Sequence, residues 1–223
     1  MSQINRIDGG LIDQEKVLNF TFNGQILKGY EGDTLASALL ANNKHLIGRS
    51  FKYHRPRGIV TAGSEEPNAI MEIGNGAYKD PNTRATVTQL YNGLEANSQN
   101  HRGPLSFDFM AITDFLSPLL GAGFYYKTFM WPKSFWEKFY EPAIRKSAGL
   151  GTLSTEADPD TYDKGFRHCD ILIIGSGATG LSAALTAAES GAKIILADED
   201  FLMGGRLNSE TNKIDGIAGS EWA

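Results

Sequence analysis

Cysteine is almost absent from this chain, and its absence limits the possible chemistry. Cys169 is the one cysteine among 223 residues, so neither an internal disulfide nor a multi-thiolate metal site can form. Disulfides accumulate in oxidising compartments, and their exclusion here favours a reducing cytoplasm as the setting. Histidine is scarce as well, and its scattered positions predict structural roles, with no metal site and no catalytic residue. The four histidines are His45, His54, His101 and His168.

Excess positive charge and long apolar runs are also missing. Lys and Arg number 21 against 26 Asp and Glu, a formal charge of −5, so there is no positive field to attract nucleic acid. The uncharged stretch 115–126 is shorter than the roughly 18 apolar residues that a membrane-spanning helix requires. The N-terminus lacks the apolar core of a signal peptide. We therefore expect a soluble protein whose partners include neither nucleic acid nor a membrane.

The first hundred residues predict a small α+β domain such as a β-grasp. Apolar and polar residues alternate over 17–22, as in a half-buried strand, and Asn23-Gly24 suits a type I′ turn because both residues tolerate positive φ. Thr34 belongs to a short polar stretch that can cap a helix before the apolar residues 35–40. The predicted strands are 17–22, 25–30, 69–73 and 84–91.

A middle segment is rich in aromatic side chains. Residues 107–140 hold twelve of the chain's 23 aromatic residues, and such side chains bury about 150 to 250 Å² each when covered. Two interpretations stay open, namely core packing between two domains and an interface with another subunit or with further polypeptide. The polar stretch 156–165 is typical of a linker.

The one local basic cluster of this acidic chain lies within 49–57. It is either an anion contact, because guanidinium groups bind carboxylates and phosphates bidentately, or a solvated loop that balances Glu65 and Glu66. The cluster consists of Arg49, Lys52, Arg55 and Arg57, together with His54.

The last quarter of the chain has the pattern of a dinucleotide-binding unit. The apolar run 170–174 is typical of a parallel strand buried on both faces. It leads into Gly175-Ser176-Gly177-Ala178-Thr179-Gly180, a GxGxxG turn, and then into an alanine-rich helix over 181–190. A second apolar strand, 193–197, ends at Asp198-Glu199-Asp200. Strand, turn, helix, strand and acid in this order predict the first βαβ of a Rossmann-type domain.

Each residue type in the turn has a physical task. Gly175 permits the tight turn, Gly177 lets the backbone approach a pyrophosphate, and Gly180 allows close packing of helix and strand. The free amides around Thr179 face the same phosphates, and the helix dipole favours their negative charge. We therefore predict these four residues as ligands of a dinucleotide.

The acidic residues after the second strand refine this prediction. Asp198 is placed to accept from an adenosine ribose hydroxyl, while Glu199 and Asp200 would repel a 2′-phosphate, which favours NAD or FAD over NADP. Arg206 is a candidate for contact with the pyrophosphate, the alternative being a solvated loop arginine. The few residues that follow cannot supply the second mononucleotide-binding half, so we expect an incomplete site and a sheet edge that another polypeptide covers.

Long strings of this sequence resemble the N-terminal portion of the α subunits of heterotetrameric sarcosine oxidases. The resemblance covers nearly the entire chain and implies a β-grasp domain akin to [2Fe–2S] ferredoxins, followed by the opening of an NAD-binding domain of flavin-reductase type. The strings are GDTLASALL (32–40), GRSFKYHRPRG (48–58), EPNA (66–69), GFYYKTF (123–129) and AGLG (148–151).

The same resemblance implies a flavin-dependent amine oxidase. Such an enzyme oxidises sarcosine to glycine, reduces O2 to H2O2, and passes the one-carbon unit to tetrahydrofolate as methylene-tetrahydrofolate. It implies NAD and folate in the α subunit, FAD in a partner β subunit and FMN near the interface of the two. Because this chain stops before the rest of the NAD domain and the folate-binding part, we expect it to contribute a partial NAD site and an assembly surface, and to be inactive alone.

Related ferredoxin domains hold their iron–sulfur cluster with four cysteine thiolates, which residues 1–168 lack. We therefore expect three parts: a β-grasp domain without a cluster over 1–104, an aromatic-rich connector or interface over 105–165, and a partial Rossmann domain over 166–223. Two alternatives remain, namely a non-catalytic assembly subunit or fragment with a vestigial glycine turn, and a subunit that binds FAD at that turn.

Overall fold

Alternating apolar side chains build a mixed sheet in the N-terminal part of the chain. The structure, a computed structural model, describes residues 3–7, 12–124 and 131–223. The first strands are β1 (Asp13–Phe22), β2 (Gln25–Glu31), β3 (Gly48–Arg49), β4 (Pro56–Arg57), β5 (Ile70–Ile73), β6 (Asp80–Arg84) and β7 (Glu95–Ser98). Five of them form one sheet in the order β2-β1-β7-β5-β6. In that sheet β1 is parallel to β7 and the other neighbours are antiparallel, while β3 and β4 pair with each other.

The first hairpin and helix form as their sequences predict. Asn23 (φ 50°) and Gly24 (φ 75°) both take the left-handed conformation between β1 and β2, as a type I′ turn requires. Helix α1 (Leu35–Ala41) begins after Thr34, whose hydroxyl accepts the N–H of Ser37 at 3.1 Å. The Ser37 hydroxyl accepts the N–H of Thr34 at 3.0 Å in return. This reciprocal cap fixes where the helix begins.

The core of this unit lies between α1 and the sheet. Leu35 and Leu39 of the helix are fully buried against Phe20 and Met71 of the strands. Each such burial stabilises the fold by about 1.5–3 kcal/mol. A helix packed across a mixed sheet is consistent with the expected β-grasp arrangement.

One predicted strand, 84–91, is wrong. The strand beside β5 is β6, which ends at Arg84, and the residues after it turn toward the start of α1. There the carbonyl groups of Ala85 and Thr88 accept the N–H groups of Ala36 and Leu35 at 2.9 and 2.8 Å, which have no acceptor inside the helix. The sequence of 84–91 alternates like a strand because some of its apolar side chains are buried in the core. The backbone that carries them forms a turn.

Strand β7 is absent from the predicted strands. Its sequence, Glu95–Ser98, has a single apolar side chain, Ala96, and carries no alternating pattern. The strand forms because its backbone pairs with β1 on one side and β5 on the other, and these partners are distant in sequence.

The middle segment is mostly irregular where the structure describes it, up to residue 124 and from residue 131. It contains the 3₁₀ turns Phe109–Asp114 and Lys133–Phe135, the π-helix Trp136–Tyr140 and the helix α2 (Glu141–Ala148). No regular element forms in the predicted linker 156–165.

Buried polar side chains tie the middle segment to the N-terminal unit. The two ring nitrogens of His54 lie 2.6 Å from Asp108 Oδ2 and 2.8 Å from the carbonyl oxygen of Ser147. The Arg49 guanidinium donates to the carbonyl groups of Leu105 and Ser106 at 2.7 and 3.0 Å. His54 and Arg49 are both buried, so each has a structural role, as expected for the histidine.

Three of the four Lys and Arg side chains of the basic cluster contact acceptors of their own chain. Besides Arg49, Arg55 pairs with Asp114 at 2.6 Å, and the Lys52 ammonium donates to the carbonyl of Gly121 at 3.2 Å. The expected balance with Glu65 and Glu66 is not observed for these three side chains, although Arg55 remains 49% exposed to solvent.

Most of the described aromatic side chains of 107–140 face solvent. Phe115 is 87% exposed and Trp131 is 83% exposed. Phe107 and Phe109 stack edge to face on each other, with ring centroids 5.5 Å apart, and both are exposed. Tyr125, Tyr126 and Phe129 lie outside the described residues. Core packing between domains therefore does not account for these aromatic residues.

The C-terminal part contains the predicted strand, helix and strand. Its elements are β8 (Ile171–Ile174), α3 (Ala178–Ala188), β9 (Ile194–Ala197), β10 (Lys213–Ile214), β11 (Ile217–Ala218) and α4 (Gly219–Trp222). Strands β8 and β9 run parallel, from the pair of Ile171 and Ile194 to that of Ile174 and Ala197. Across the described ranges, every helix is too short or too polar to span a bilayer.

The predicted burial of β8 on both faces is not observed. Leu172 is 57% exposed and Ile174 is 75% exposed. The described part of this sheet has two strands, so little polypeptide is present to cover them. The apolar run correctly predicts the strand, whereas its burial depends on further partners.

A buried carboxylate organises the loop between β4 and β5. Glu66 Oε2 accepts the N–H groups of Val60 and Thr61 at 2.8 and 2.6 Å, and Oε1 accepts those of Asn68 and Ala69 at 2.7 and 3.2 Å. Burial opposes ionisation, but the four N–H groups outweigh it and hold the pKa of Glu66 below its ordinary value. The loop is thus closed around one negative charge.

We expect Glu66→Gln to loosen this loop. An amide keeps one acceptor oxygen and places a donor against N–H groups, and loss of hydrogen bonds to a charged group costs about 1–3 kcal/mol. Hydrogen–deuterium exchange should show faster exchange at the amides of residues 60, 61, 68 and 69. Because the folded pKa is lowered, the stabilisation exists above the ordinary pKa of 4.5 and is lost as the pH falls through the lower folded value.

The exposed neighbour Glu65 provides the matched control. Glu65→Gln removes the same charge one residue away, and the loop amides should exchange as in the unchanged protein after correction for intrinsic rates. Equal protection in Glu66→Gln and Glu65→Gln would contradict the assigned role of Glu66.

Candidate dinucleotide site

The glycine turn brings the end of β8 directly against the start of α3. Gly175 takes a φ of 100°, which favours glycine, and its N–H donates to Ala197 O of β9 at 2.7 Å. A Cβ on Gly180 would lie 1.8 Å from the Gly175 carbonyl oxygen. Both glycines are therefore required by the fold itself.

Gly177 differs from these two glycines. Its φ of −68° is open to any residue, and a Cβ there would meet no atom within 4 Å. Gly177 is also the N-cap of α3, and no side chain caps the helix. The N–H groups of the first turn, including that of Thr179, are consequently left to solvent or to a ligand.

Asp198 lies at the end of β9, against the turn. Its carboxylate accepts the N–H of Asp200 at 2.8 Å and that of Ser176 in a short hydrogen bond. These two contacts, that of Asp200 foremost, hold the pKa of Asp198 below its ordinary value, so the group is negatively charged. A carboxylate offers about four acceptor sites, and further capacity remains for a hydroxyl.

The two following acids have different surroundings. Glu199 Oε1 lies 3.6 Å from the Arg84 guanidinium of the N-terminal unit. Asp200 accepts the N–H of Phe201 at 2.9 Å, and burial raises its pKa. One of the two carboxylates is therefore paired across the two units, and the other is partly withdrawn from solvent.

Arg206 follows a pair of glycines that pack on the turn. The Gly204 N–H donates to Ser176 O at 2.9 Å, and a Cβ on Gly205 would lie 3.3 Å from Gly177 Cα. The Arg206 side chain is 78% exposed and pairs with Glu210 at 3.1 Å. The sequence prediction missed the contact of this glycine pair with the turn. Two adjacent glycines were the signal in the sequence from which a close backbone contact could have been inferred.

A cleft of about 1440 Å³ opens in front of the turn. Gly175, Gly177, the acids 198–200 and Arg206 line it together, as the sequence predicts for one site. Thr179 instead lines a smaller hollow of about 330 Å³, which it shares with Arg206, and Gly180 is enclosed in the helix–strand contact.

The opposite wall of the cleft belongs to the N-terminal unit. It is formed by residues 61–65 together with Gly32, Thr34 and Thr86. The sequence prediction missed this wall, because nothing local in these residues indicates a contact with a segment so distant along the chain.

Two family models match the chain in the same order as its two units. A 2Fe-2S iron-sulfur cluster binding domain matches residues 15–101, and an FAD binding domain matches residues 170–211. Together with the mixed sheet and the glycine turn, these matches indicate a ferredoxin-like region followed by the start of a dinucleotide-binding domain.

The curated relatives that match most of the chain are sarcosine oxidase alpha subunits. The chain is 61% identical over 214 residues to sarcosine oxidase subunit alpha of Rhizobium meliloti (strain 1021). The match covers 96% of this chain and 22% of that protein. The same subunits of Corynebacterium sp. strains U-96 and P-1 are 33% and 32% identical, over 96% and 95% of this chain and 18% and 17% of those proteins. The chain is thus a homologue of the N-terminal portion of sarcosine oxidase alpha subunits, and it spans about a fifth of their length.

The residues of the ferredoxin-like unit do not fit an iron–sulfur cluster. Thiolate ligation is impossible over 15–101, because Cys169 is the one cysteine of the chain. Within the described ranges, no three His, Cys, Asp or Glu side chains are grouped so as to hold a metal ion. The likeness to cluster-binding domains therefore concerns the fold alone.

We expect Gly180→Ala to destabilise the C-terminal unit. The added methyl group would overlap the Gly175 carbonyl, and relieving such overpacking costs about 1–3 kcal/mol or more. Gly177→Ala adds the same methyl group where a Cβ meets no atom within 4 Å, at the N-cap of α3, and is the matched control. Alanine is a poorer N-cap than glycine, so thermal unfolding of the purified protein should show the larger fall in melting temperature for Gly180→Ala, whereas equal melting of both variants would contradict the tight contact.

Proposed function

We propose that this chain is the N-terminal part of a sarcosine oxidase α subunit and holds the ADP half of NAD at its glycine turn. The observation that carries the proposal is Gly177. Neither its φ nor its surroundings require glycine, in contrast to Gly175 and Gly180. The fold would tolerate a side chain at Gly177, yet the residue is glycine. A ligand that approaches the backbone closely at the mouth of the cleft explains this choice.

The surrounding groups suit a diphosphate and a ribose. The uncapped N-terminus of α3 offers N–H groups and the positive end of the helix dipole to the phosphates. The ionised Asp198 accepts a ribose hydroxyl, while Glu199 and Asp200 disfavour a 2′-phosphate. Arg206 lies at the edge of the same cleft and supplies a positive charge near the phosphates. When bound, NAD supplies a hydride acceptor, and this chain contributes no catalytic residue of its own.

The whole enzyme is proposed from the longer relatives and from the family resemblance. It would oxidise sarcosine to glycine in the cytoplasm, with O2 reduced to H2O2 and the one-carbon unit passed to tetrahydrofolate. FAD in a β subunit and FMN near the interface of the subunits would carry the redox chemistry. The N-terminal unit of this chain then serves as scaffold, over a proposed domain of 1–104.

Two exposed apolar surfaces support an assembly role. The aromatic side chains of the proposed connector 105–165, such as Phe115 and Trp131, would contact the FAD-carrying subunit. The open face of β8, at Leu172 and Ile174, would be covered by further polypeptide of the subunit, since the proposed domain of 166–223 holds only the start of a dinucleotide-binding fold.

A second candidate is FAD at the same turn. The match of an FAD binding domain to residues 170–211 favours it, and NAD and FAD share the ADP moiety that the turn would hold. The family resemblance favours NAD.

We expect Gly177→Val to abolish or strongly weaken binding of the coenzyme. Its side chain would occupy the space proposed for the pyrophosphate, where a Cβ meets no atom within 4 Å. Calorimetric titration of NAD, of FAD and of ADP into the purified complex that contains this chain should show a loss of at least tenfold in affinity for the coenzyme that binds.

Gly165→Val in the linker is the matched control, because a Cβ there also meets no atom within 4 Å. It should bind as the unchanged protein does. Unchanged affinity in Gly177→Val, or no binding of NAD, FAD or ADP by the unchanged complex, would contradict the proposal and favour the assembly role with a vestigial turn.

A further inference from the structure

We propose that the loop 61–65 of the ferredoxin-like unit is the second wall of the coenzyme site and contacts the adenosine end of the dinucleotide. The inference rests on the proposed function, because it assigns residues of another unit to the same ligand. It gives the cluster-free ferredoxin-like unit a binding role in addition to its role as scaffold.

The loop faces the acidic end of β9. It lines the same cleft as Asp198, Glu199 and Asp200. The pair of Arg84 and Glu199, at 3.6 Å, joins the two walls at this end. Because Asp198 is placed for the adenosine ribose, the loop is opposite the adenosine.

The glycine turn cannot enclose a nucleotide by itself. Small-molecule sites bury roughly 70–90% of the ligand surface, whereas the strand that leads into the turn is open, with Ile174 mostly exposed. In the described part of the chain, the surface across the cleft comes from residues 61–65, Gly32, Thr34 and Thr86. Among the described residues, the ferredoxin-like unit is therefore what covers the adenosine from the opposite side.

The loop is held in place before any ligand arrives. The buried Glu66 carboxylate accepts four backbone N–H groups around it and also the Thr61 hydroxyl at 3.2 Å. From the other side, the Thr86 hydroxyl donates to Gly63 O at 2.8 Å. A wall fixed in this way costs little conformational entropy on binding.

The exposed groups of the loop suit a nucleoside. Ala62 presents a methyl group and Ser64 a hydroxyl, and both side chains are exposed at the cleft. The methyl group can pack on a purine face, and the hydroxyl can bond to a ribose or base edge. Glu65 adds negative charge that disfavours a 2′-phosphate.

Hydrogen–deuterium exchange of the unchanged complex tests the wall directly. Saturating ADP, which carries the adenosine without nicotinamide or flavin, should slow exchange at the amides of 61–65 as well as at the glycine turn. Slower exchange at the turn with unchanged exchange at 61–65 would overturn the inference and leave the proposed function standing. Unchanged exchange at both would overturn both.

Filling the cleft from the loop gives a second test. Ala62→Trp and Ser64→Trp enlarge exposed side chains, so both variants should melt as the unchanged protein does and bind ADP at least tenfold more weakly. Ala157→Trp, in the exposed linker, is the matched control and should bind normally. Full ADP affinity in both loop variants, together with weak binding in Gly177→Val, would overturn the inference that loop 61–65 contacts the adenosine. The proposed function of the glycine turn would stand. If a loop variant does not fold, the exchange measurement decides.

Discussion

The contact between the backbones of Gly175 and Gly180 is the constraint on which the C-terminal unit depends. No side chain fits between the Gly180 Cα and the Gly175 carbonyl, so α3 begins immediately where β8 ends. That placement leaves the first turn of α3 without a side-chain cap, next to the hollow that Thr179 lines. Asp198 ties the end of β9 to the same turn through the N–H of Ser176. The two strand ends and the helix start thus form one fixed corner, and Gly177 leaves its outer side free.

Elements whose signals lie within a few residues were predictable from the sequence. The hairpin at Asn23-Gly24, the cap at Thr34 and the βαβ around the glycine turn each depend on local backbone preferences, and each is found in the structure. The candidate site residues could be named for the same reason, because motif spacing places them at one strand edge.

Features that depend on distant partners were not predictable. Strand β7 has little sequence signal and forms through its neighbours, while 84–91 has a strand pattern and forms a turn that satisfies the N-terminal amides of α1. The exposure of Leu172 and Ile174 also depends on distant partners, because an apolar run predicts a strand but does not indicate which polypeptide covers it. The wall of residues 61–65 has no local signal at all.

The region between β3 and β5 explains how a ferredoxin-like unit keeps its shape without thiolate ligands. Three buried polar side chains fix its loops: Arg49 donates to the carbonyls of the following segment, His54 bridges Asp108 and Ser147, and Glu66 gathers four N–H groups. Buried polar groups are costly unless satisfied, and these have multiple partners, so they specify one loop conformation. A rigid loop at a cleft shared with a dinucleotide-type turn is more than a stable scaffold requires. Its position there fits the proposed part of this unit in holding the coenzyme.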